Sequence, residues 1–359
     1  MDMMRGAQTN KGKKRTAERL IGLFIVSILF LSEIGFAIYL IQSKDKYTSL
    51  DLETVLIAAQ QIPLSSGFPT ERGIIVPTRT SIVTVKDVSM DLSNLNEGYI
   101  FVRYDGSRDK MVLTVASVDR DAVVHNDRST NQGLQPYYAY PVGSGWQGYA
   151  LPYGSGTYTI RCLPYDEGNQ ISLTEEISKF NFSAYFNEDA PYKYSNVYSN
   201  IEANDTAVAV ASYLILQQEK AKKRALTDKE KTELIIPYIR EHIKEDTELQ
   251  AQAELYENSP YKFPDTEDAM NTGIGNCNER SALAAIMLKS QQIPVKIFHG
   301  YVRIKNDSDK DSIRRYHAWI DVYLDGGWVM YDPTSFDKEV PSIVDNGFAD
   351  YLLDTAIVR

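Results

Sequence analysis

The chain has 359 residues, 43% of them hydrophobic and 24% charged, with a formal net charge of −10. That length suits about two domains with appendages, and the composition supports ordinary packed cores. The acidic balance argues against nucleic acid as a partner, because phosphate contacts need clustered Lys and Arg, and the two cysteines cannot build a disulfide framework.

The amino-terminal segment bears on location. Leu20 to Ile41 is an apolar run whose one charge is Glu33. At ~1.5 Å of rise per residue, a helix of that length crosses a bilayer core of roughly 30 Å. Before it stand Arg5, Lys11, Lys13, Lys14, Arg15 and Arg19 against Asp2 and Glu18. That bias puts residues 1–19 in the cytoplasm and everything after Ile41 outside the cell membrane. A cleaved leader would have a shorter apolar region, ~7–15 residues, and a small-residue cleavage site. Leu40-Ile41-Gln42-Ser43-Lys44 fits that pattern poorly, so a single-pass signal anchor over 20–41 is expected. Residues 42–70 read as a stalk with a short helical piece from Leu50 to Gln61, ended by Pro63.

From Gly73 the hydrophobic period becomes two. Ile82 to Val85, Tyr99 to Tyr104, Met111 to Val115, Trp146 to Leu151, Thr157 to Cys162 and Phe180 to Phe186 read as strands. Turn signals separate them at Asn96-Glu97-Gly98, Asp105-Gly106 and the cluster Pro152 to Gly156. Twenty-four tyrosines against twelve phenylalanines suit pleated surfaces with one wet edge. Many short strands with regular turns predict an Ig-like β-sandwich over 71–188. His125 reads as a loop residue, and the region shows no metal-ligand spacing.

After Pro191 the pattern turns helical. Asp205 to Gln218 is one predicted helix. Thr227-Asp228-Lys229-Glu230 is a capping box that opens another, in which Pro237 is expected to kink or shorten the helix and His242 reads as a packed helix histidine. Lys220 to Arg224 is a solvated face. Helices followed by strands make residues 189–359 an α+β domain.

Its chemistry-bearing residues are concentrated. Asn276-Cys277-Asn278-Glu279 resembles a capping box, which places Cys277 in the first turn of a helix carrying Leu283, Ile286, Met287 and Ser290 on one face. There the unpaired amides and the helix dipole favour the thiolate and can hold an oxyanion. Gly273 and Gly275 permit close backbone approach. A free cysteine is otherwise a small buried hydrophobe. His317 to Leu324 and Trp328 to Asp332 alternate as strands around Asp325-Gly326, a type I′ hairpin signal. In that register Leu324 faces Gly327, so His317 and Asp332 lie diagonally on one face, ~7–8 Å apart between backbones. A sulfur nucleophile, an imidazole and an orienting carboxylate are the parts of thiol acyl transfer.

Gly275-Asn276-Cys277, Gly300-Tyr301-Val302, His317-Ala318-Trp319, Gly327-Trp328 and Asp332-Pro333-Thr334 resemble, in order, the core motifs of the transglutaminase-like superfamily, with its papain-like α+β fold. The likeness covers roughly residues 265–335. It implies Cys277 as nucleophile, His317 as general base and then acid, and Asp332 as orienter. Where family members often carry an acidic residue after the cysteine, this chain has Asn278, a difference not expected to alter the chemistry. His299 occupies a position the family does not use for catalysis and reads as structural. The stretch Leu151 to Ile160 resembles accessory domains that precede such catalytic domains in surface proteins of Gram-positive bacteria.

The expectation is a membrane-anchored cysteine enzyme acting outside the cell on a glutamine carboxamide or a peptide bond, with no cofactor and no metal. A protein or peptide, with cell-wall peptide as one candidate, is the expected partner. Asn276, Trp319 and Tyr331, together with the charged loop Lys305 to Arg315, are expected near the substrate. The residues leave transglutaminase, protease and deamidase open. Three other readings stand beside this one: an inactive scaffold of the same fold, a Cys162–Cys277 bridge, and a zinc site from Cys277, His299 and His317.

Overall fold

The structure is a computed structural model that describes residues 73–75, 77–107, 110–117, 135–141, 145–166, 170–171, 175–246, 264–304, 313–334 and 349–358. The expected cytoplasmic segment, anchor, stalk and His125 lie outside the described residues. Among the described residues no helix is long and apolar enough to cross a membrane.

The β region holds β1 (Ile82–Val85), β2 (Val88–Asp91), β3 (Tyr99–Tyr104), β4 (Lys110–Ser117), β5 (Gln135–Pro141), β6 (Gln147–Ala150), β7 (Gly156–Asp166), β8 (Gln170–Ile171) and β9 (Ser178–Ala184). They form two antiparallel sheets, one ordered β1-β2-β3-β6 and the other β5-β4-β7-β8 with β9 also paired to β7. Strands β2 and β3 are covered on both faces, which is why they read as near-continuous runs and not as an alternation. On one face of β3, Tyr99 and Phe101 cluster with Ala150 and Tyr192, and Ile75, Trp146, Tyr194 and Trp328 pack against them. Trp328 belongs to the second half of the chain, so the two halves share this apolar contact. Asp91 is fully buried in β2, where its Oδ1 accepts from the Ser93 amide at 2.9 Å and from the Ser93 hydroxyl.

The second half begins with α1 (Asp205–Lys222), α2 (Asp228–His242), α3 (Thr266–Thr272) and α4 (Cys277–Lys289). Each start is capped by the chemistry its sequence supplies. Asn204 accepts from the Ala207 amide at 3.1 Å, and Thr227 and Glu230 form the reciprocal box at α2. Pro237 does not shorten α2, which runs on to His242, whose ring stacks on Tyr238 at 4.1 Å. The sheet that follows is β10 (Val295–Ile304), β11 (Ile313–Leu324), β12 (Gly327–Tyr331) and β13 (Ala349–Val358), in the antiparallel order β12-β11-β10-β13. Arg314 and Arg315, expected in a loop, are strand residues paired with Arg303 and Val302. Residues 305–312 lie outside the described residues.

Helix α4 is the axis of this half. Its sequence suggests one apolar face, but every residue from Glu279 to Lys289 is buried, because α1, α2 and α3 wrap it on one side and β10 and β11 on the other. Lys289 is fully buried there, with its Nζ donating to Ser199 Oγ at 2.8 Å. Burial without a countercharge pushes this ammonium down to about 7. Between about 7 and the ordinary lysine value near 10.5, the unfolded chain holds a proton that the folded chain lacks, so this group makes stability rise with pH across that window. Lys289→Met is therefore expected to raise stability at and below neutral pH, by about a few kcal/mol at most, and to remove this group's share of the pH dependence. Urea midpoints at acidic, neutral and mildly alkaline pH measure both effects.

Candidate active site

The loop before α4 is shaped by small residues. Gly273 ends α3 at φ +69, a left-handed conformation that favours glycine. Gly275 then passes so close to its neighbours that an added Cβ would lie 2.9 Å from Glu279 Cβ, 3.2 Å from Ala269 Cβ and 3.3 Å from Ile243 Cγ2. Amide–carbonyl bonds from Lys244 to Gly273 (2.7 Å) and from Gly275 to Lys244 (2.8 Å) pin the loop to the end of α2. Asn276 takes an extended backbone as N-cap, accepts from the Asn278 amide at 2.8 Å, and donates its own amide to Glu279 Oε2 at 3.1 Å. The cap therefore consumes the amides of Asn276, Asn278 and Glu279, and leaves that of Cys277 at the mouth of the helix. Cys277, the first residue of α4, is half-buried.

The hairpin β11–β12 brings up the partners. Asp325 and Gly326 both have positive φ, 51° and 85°, and Leu324 pairs with Gly327. This is the register expected from Asp-Gly, and it puts His317 and Asp332 on one face. Here the side chains meet: His317 Nε2 lies 2.9 Å from Asp332 Oδ2, and Asp332 Oδ1 accepts from the Thr334 amide at 2.7 Å. With Nε2 committed to Asp332, Nδ1 is the ring nitrogen left for the Cys277 thiol, which lies near enough to help raise the imidazole. Trp319 stacks on the imidazole at 6.3 Å and on Phe298 at 5.6 Å, a wall that holds the ring plane.

His317 and Asp332 are 2% and 5% exposed. Burial disfavours the imidazolium, but the Asp332 carboxylate and the Cys277 sulfur outweigh it and push the histidine up to about 10. The site thus holds its proton on His317 at neutral pH.

Cys277, His317 and Asp332 come together as their spacing implies. Trp319 and Tyr331 are buried, and Asn276 spends its side chain and amide on the cap. Tyr331 faces away from the imidazole, and burial and the nearby Glu233 of α2 raise its phenol. The Cys162–Cys277 bridge does not exist: both thiols are free, and burial in β7 pushes Cys162 up to about 12. Among the described residues no group of His, Cys, Asp and Glu is arranged to hold a metal.

Two features of the site escape a reading of the sequence. Arg280, one turn after Cys277, is 5% exposed, and its Nε has no hydrogen-bond partner among the described residues. Burial lowers its pKa, while Glu245, Cys277 and Asp332 support its charge. The helical spacing of three from the cysteine was the available signal. Tyr198 bonds to Asn278 from a distant part of the chain, and no local pattern announces it.

Residues 217–333 match the model of the transglutaminase-like superfamily. This part of the chain is a transglutaminase-like domain. An uncharacterised protein of Mycobacterium leprae (strain TN) is 39% identical over 75 residues, which cover 20% of this chain and 26% of that protein. The match thus spans about a quarter of that relative. Among solved structures, a candidate cysteine protease from Cytophaga hutchinsonii is similar at 12% identity and TM-score 0.32, over 73% of this chain and 85% of that one. The periplasmic domain of TgpA from Pseudomonas aeruginosa bound to ethylmercury is similar at 12% identity and TM-score 0.30, over 70% and 96%.

Two outcomes test the geometry of this transglutaminase-like site. Gly275→Ala must displace Glu279, Ala269 or Ile243, so a loss of roughly 1–3 kcal/mol is expected in denaturant unfolding, with Cys277 reactivity falling as the cap shifts. The raised pKa of His317 supplies stability that is complete below about 6.5 and is lost as pH climbs towards about 10, a slope opposite to that of Lys289. In His317→Gln the Lys289 slope is left alone, and urea midpoints should climb between about pH 7 and 9, where the wild type stays nearly flat.

Proposed function

We propose that this chain is a cysteine acyl-transfer enzyme whose thiol is Cys277. The observation that carries the reading is a thiol on the first turn of a helix, beside a buried imidazole that is held at Nε2 by a carboxylate. The superfamily includes cysteine acyltransferases and peptidases, which is the coarse class.

In the proposed cycle the Cys277 sulfur attacks the carbonyl carbon of a carboxamide or peptide. The carbonyl electrons move to oxygen, and the Cys277 amide, spared by the cap, donates to that oxyanion. The intermediate collapses as His317 Nδ1–H protonates the leaving nitrogen, so ammonia or an amine departs and a thioester remains. His317, now neutral, removes a proton from the incoming water or amine, which attacks the thioester. Cys277 leaves as thiolate and the imidazolium is restored. Because the resting histidine is charged, it enters the first step as an acid, and base catalysis belongs to the second half. Asp332 holds Nε2 and so keeps Nδ1 aimed at sulfur. No cofactor is required by these steps.

The finer reading rests on the sequence. Residues 20–41 anchor the chain in the cell membrane with the catalytic domain outside, the two sheets of the β region form an Ig-like sandwich, and a protein or cell-wall peptide supplies the acyl group. The test is intact-mass spectrometry of the detergent-solubilised chain with a glutamine-containing protein and a small primary amine, beside Cys277→Ala. An amine adduct lost in the variant supports transglutamination. Cleavage or a deamidation shift lost in the variant supports hydrolysis. Products unchanged by Cys277→Ala, or a Cys277 that iodoacetamide does not modify below the ordinary thiol value of ~8.5, would favour the inactive scaffold.

A further inference from the structure

The segment from Ala190 to Ile201 joins the two halves of the chain and is bonded to both. Towards the first sheet, the Tyr192 hydroxyl donates to Pro152 O at 3.3 Å and the Tyr194 hydroxyl to Glu97 Oε2 at 2.9 Å. The Val197 amide donates to Gly148 O at 3.2 Å, and the Tyr99 hydroxyl donates to Ser195 O. The strap then turns sharply. Asn196 Oδ1 accepts from the amides of Tyr198 (2.9 Å) and Ser199 (2.8 Å) and from the Ser199 hydroxyl (3.1 Å). This knot presents Tyr198 to the start of α4.

There three side chains converge beside the nucleophile. The Tyr198 hydroxyl donates to Asn278 Oδ1, His299 Nε2 is 2.5 Å from that same oxygen, and Tyr198 Oη and His299 Nε2 are 2.6 Å apart. The rings meet edge to face at 4.7 Å, and both residues are 2% exposed. With the amide oxygen of Asn278 turned inward, both neighbours donate to it, which puts the His299 proton on Nε2 and fixes that tautomer. The capping box holds the two ends of the turn, Asn276 and Glu279. The triangle holds its middle, at the residue next to Cys277.

We propose that Tyr198 and His299 are positioning residues for Cys277. They lock the Asn278 side chain, so that the first turn of α4 keeps the sulfur aimed at His317 and the Cys277 amide aimed at the oxyanion. The strap makes that lock depend on its docking to the β region. The proposal rests on the acyl-transfer reading above. Helix first turns fray when their side-chain bonds are lost, and a displacement of about 1 Å in a reacting group can cost on the order of a hundredfold in rate.

The test compares wild type, Tyr198→Phe, His299→Leu and His299→Gln in the full-length protein. Three readouts are taken: kcat and KM in the intact-mass assay, the pH profile of Cys277 alkylation by iodoacetamide, and the thermal midpoint. Tyr198→Phe and His299→Leu are expected to lower kcat about tenfold with KM unchanged and to move the alkylation midpoint to higher pH. His299→Gln keeps an N–H donor towards Asn278 and should recover most of the rate. A fall in thermal midpoint with kcat and alkylation profile unchanged would reduce the triangle to a packing role and overturn the proposal. A wild type that neither turns over nor alkylates below the ordinary thiol value overturns the acyl-transfer reading and this proposal with it. An active wild type with indistinguishable variants overturns this proposal alone.

Discussion

An imidazolium and a carboxylate buried together cost several kcal/mol per ion in lost hydration, and only close geometry with the remaining lone pairs satisfied repays that cost. His317 and Asp332 meet the condition. One carboxylate oxygen takes the imidazole and the other takes the Thr334 amide. Much of the second half serves this pair. The Asp-Gly turn sets the register that brings the two residues to one face, and Trp319 and Phe298 exclude water behind them. The buried pair is thus poor evidence for stability and good evidence for a site, because nothing in the packing of a sheet asks for it.

The same balance governs α4. A helix buried on all sides would ordinarily be apolar throughout, yet this one carries Glu279, Arg280 and Lys289 inside. Glu279 is explained by the cap, and Arg280 by the negative groups around it, Glu245, Cys277 and Asp332. Lys289, at the far end, has no such set and is pushed towards neutrality.

What the sequence makes legible here is short-ranged. The capping boxes at Thr227 and Asn276 and the Asp325-Gly326 turn are written within a few residues of where they act, and from the turn alone the diagonal of His317 and Asp332 follows. Misreadings arise where distant chain covers a surface. β3 loses its alternation because the strap and Trp328 cover one face. The apolar stripe of α4 understates its burial because helices close over the other side. Tyr331 sits beside Asp332 in sequence but points into packing, since adjacency along a strand puts neighbours on opposite faces, while Trp319, two residues from His317, shares its face and is spent on walling the imidazole. The Tyr198–Asn278 contact joins residues 80 apart, which no periodicity encodes.

The strap also bears on what kind of unit the catalytic half is. A domain boundary in a flexible linker leaves few contacts to cross it. Here the joining segment is bonded to the first sheet through Tyr192, Tyr194, Val197 and Ser195, while Tyr198 and Ser199, the next residues along, bond to Asn278 beside the nucleophile and to Lys289 at the other end of α4. Gly73, from just before the β region, approaches the same place so closely that an added Cβ would lie 2.7 Å from both Lys193 O and Lys289 O. A segment tied at this many points cannot shift against the sheet without also shifting against α4. Movement of the first sheet would therefore reach both ends of the catalytic helix through covalently adjacent residues. In this sense the proposed lock at Tyr198 ties the first turn of α4 to the docking of the strap on the β region.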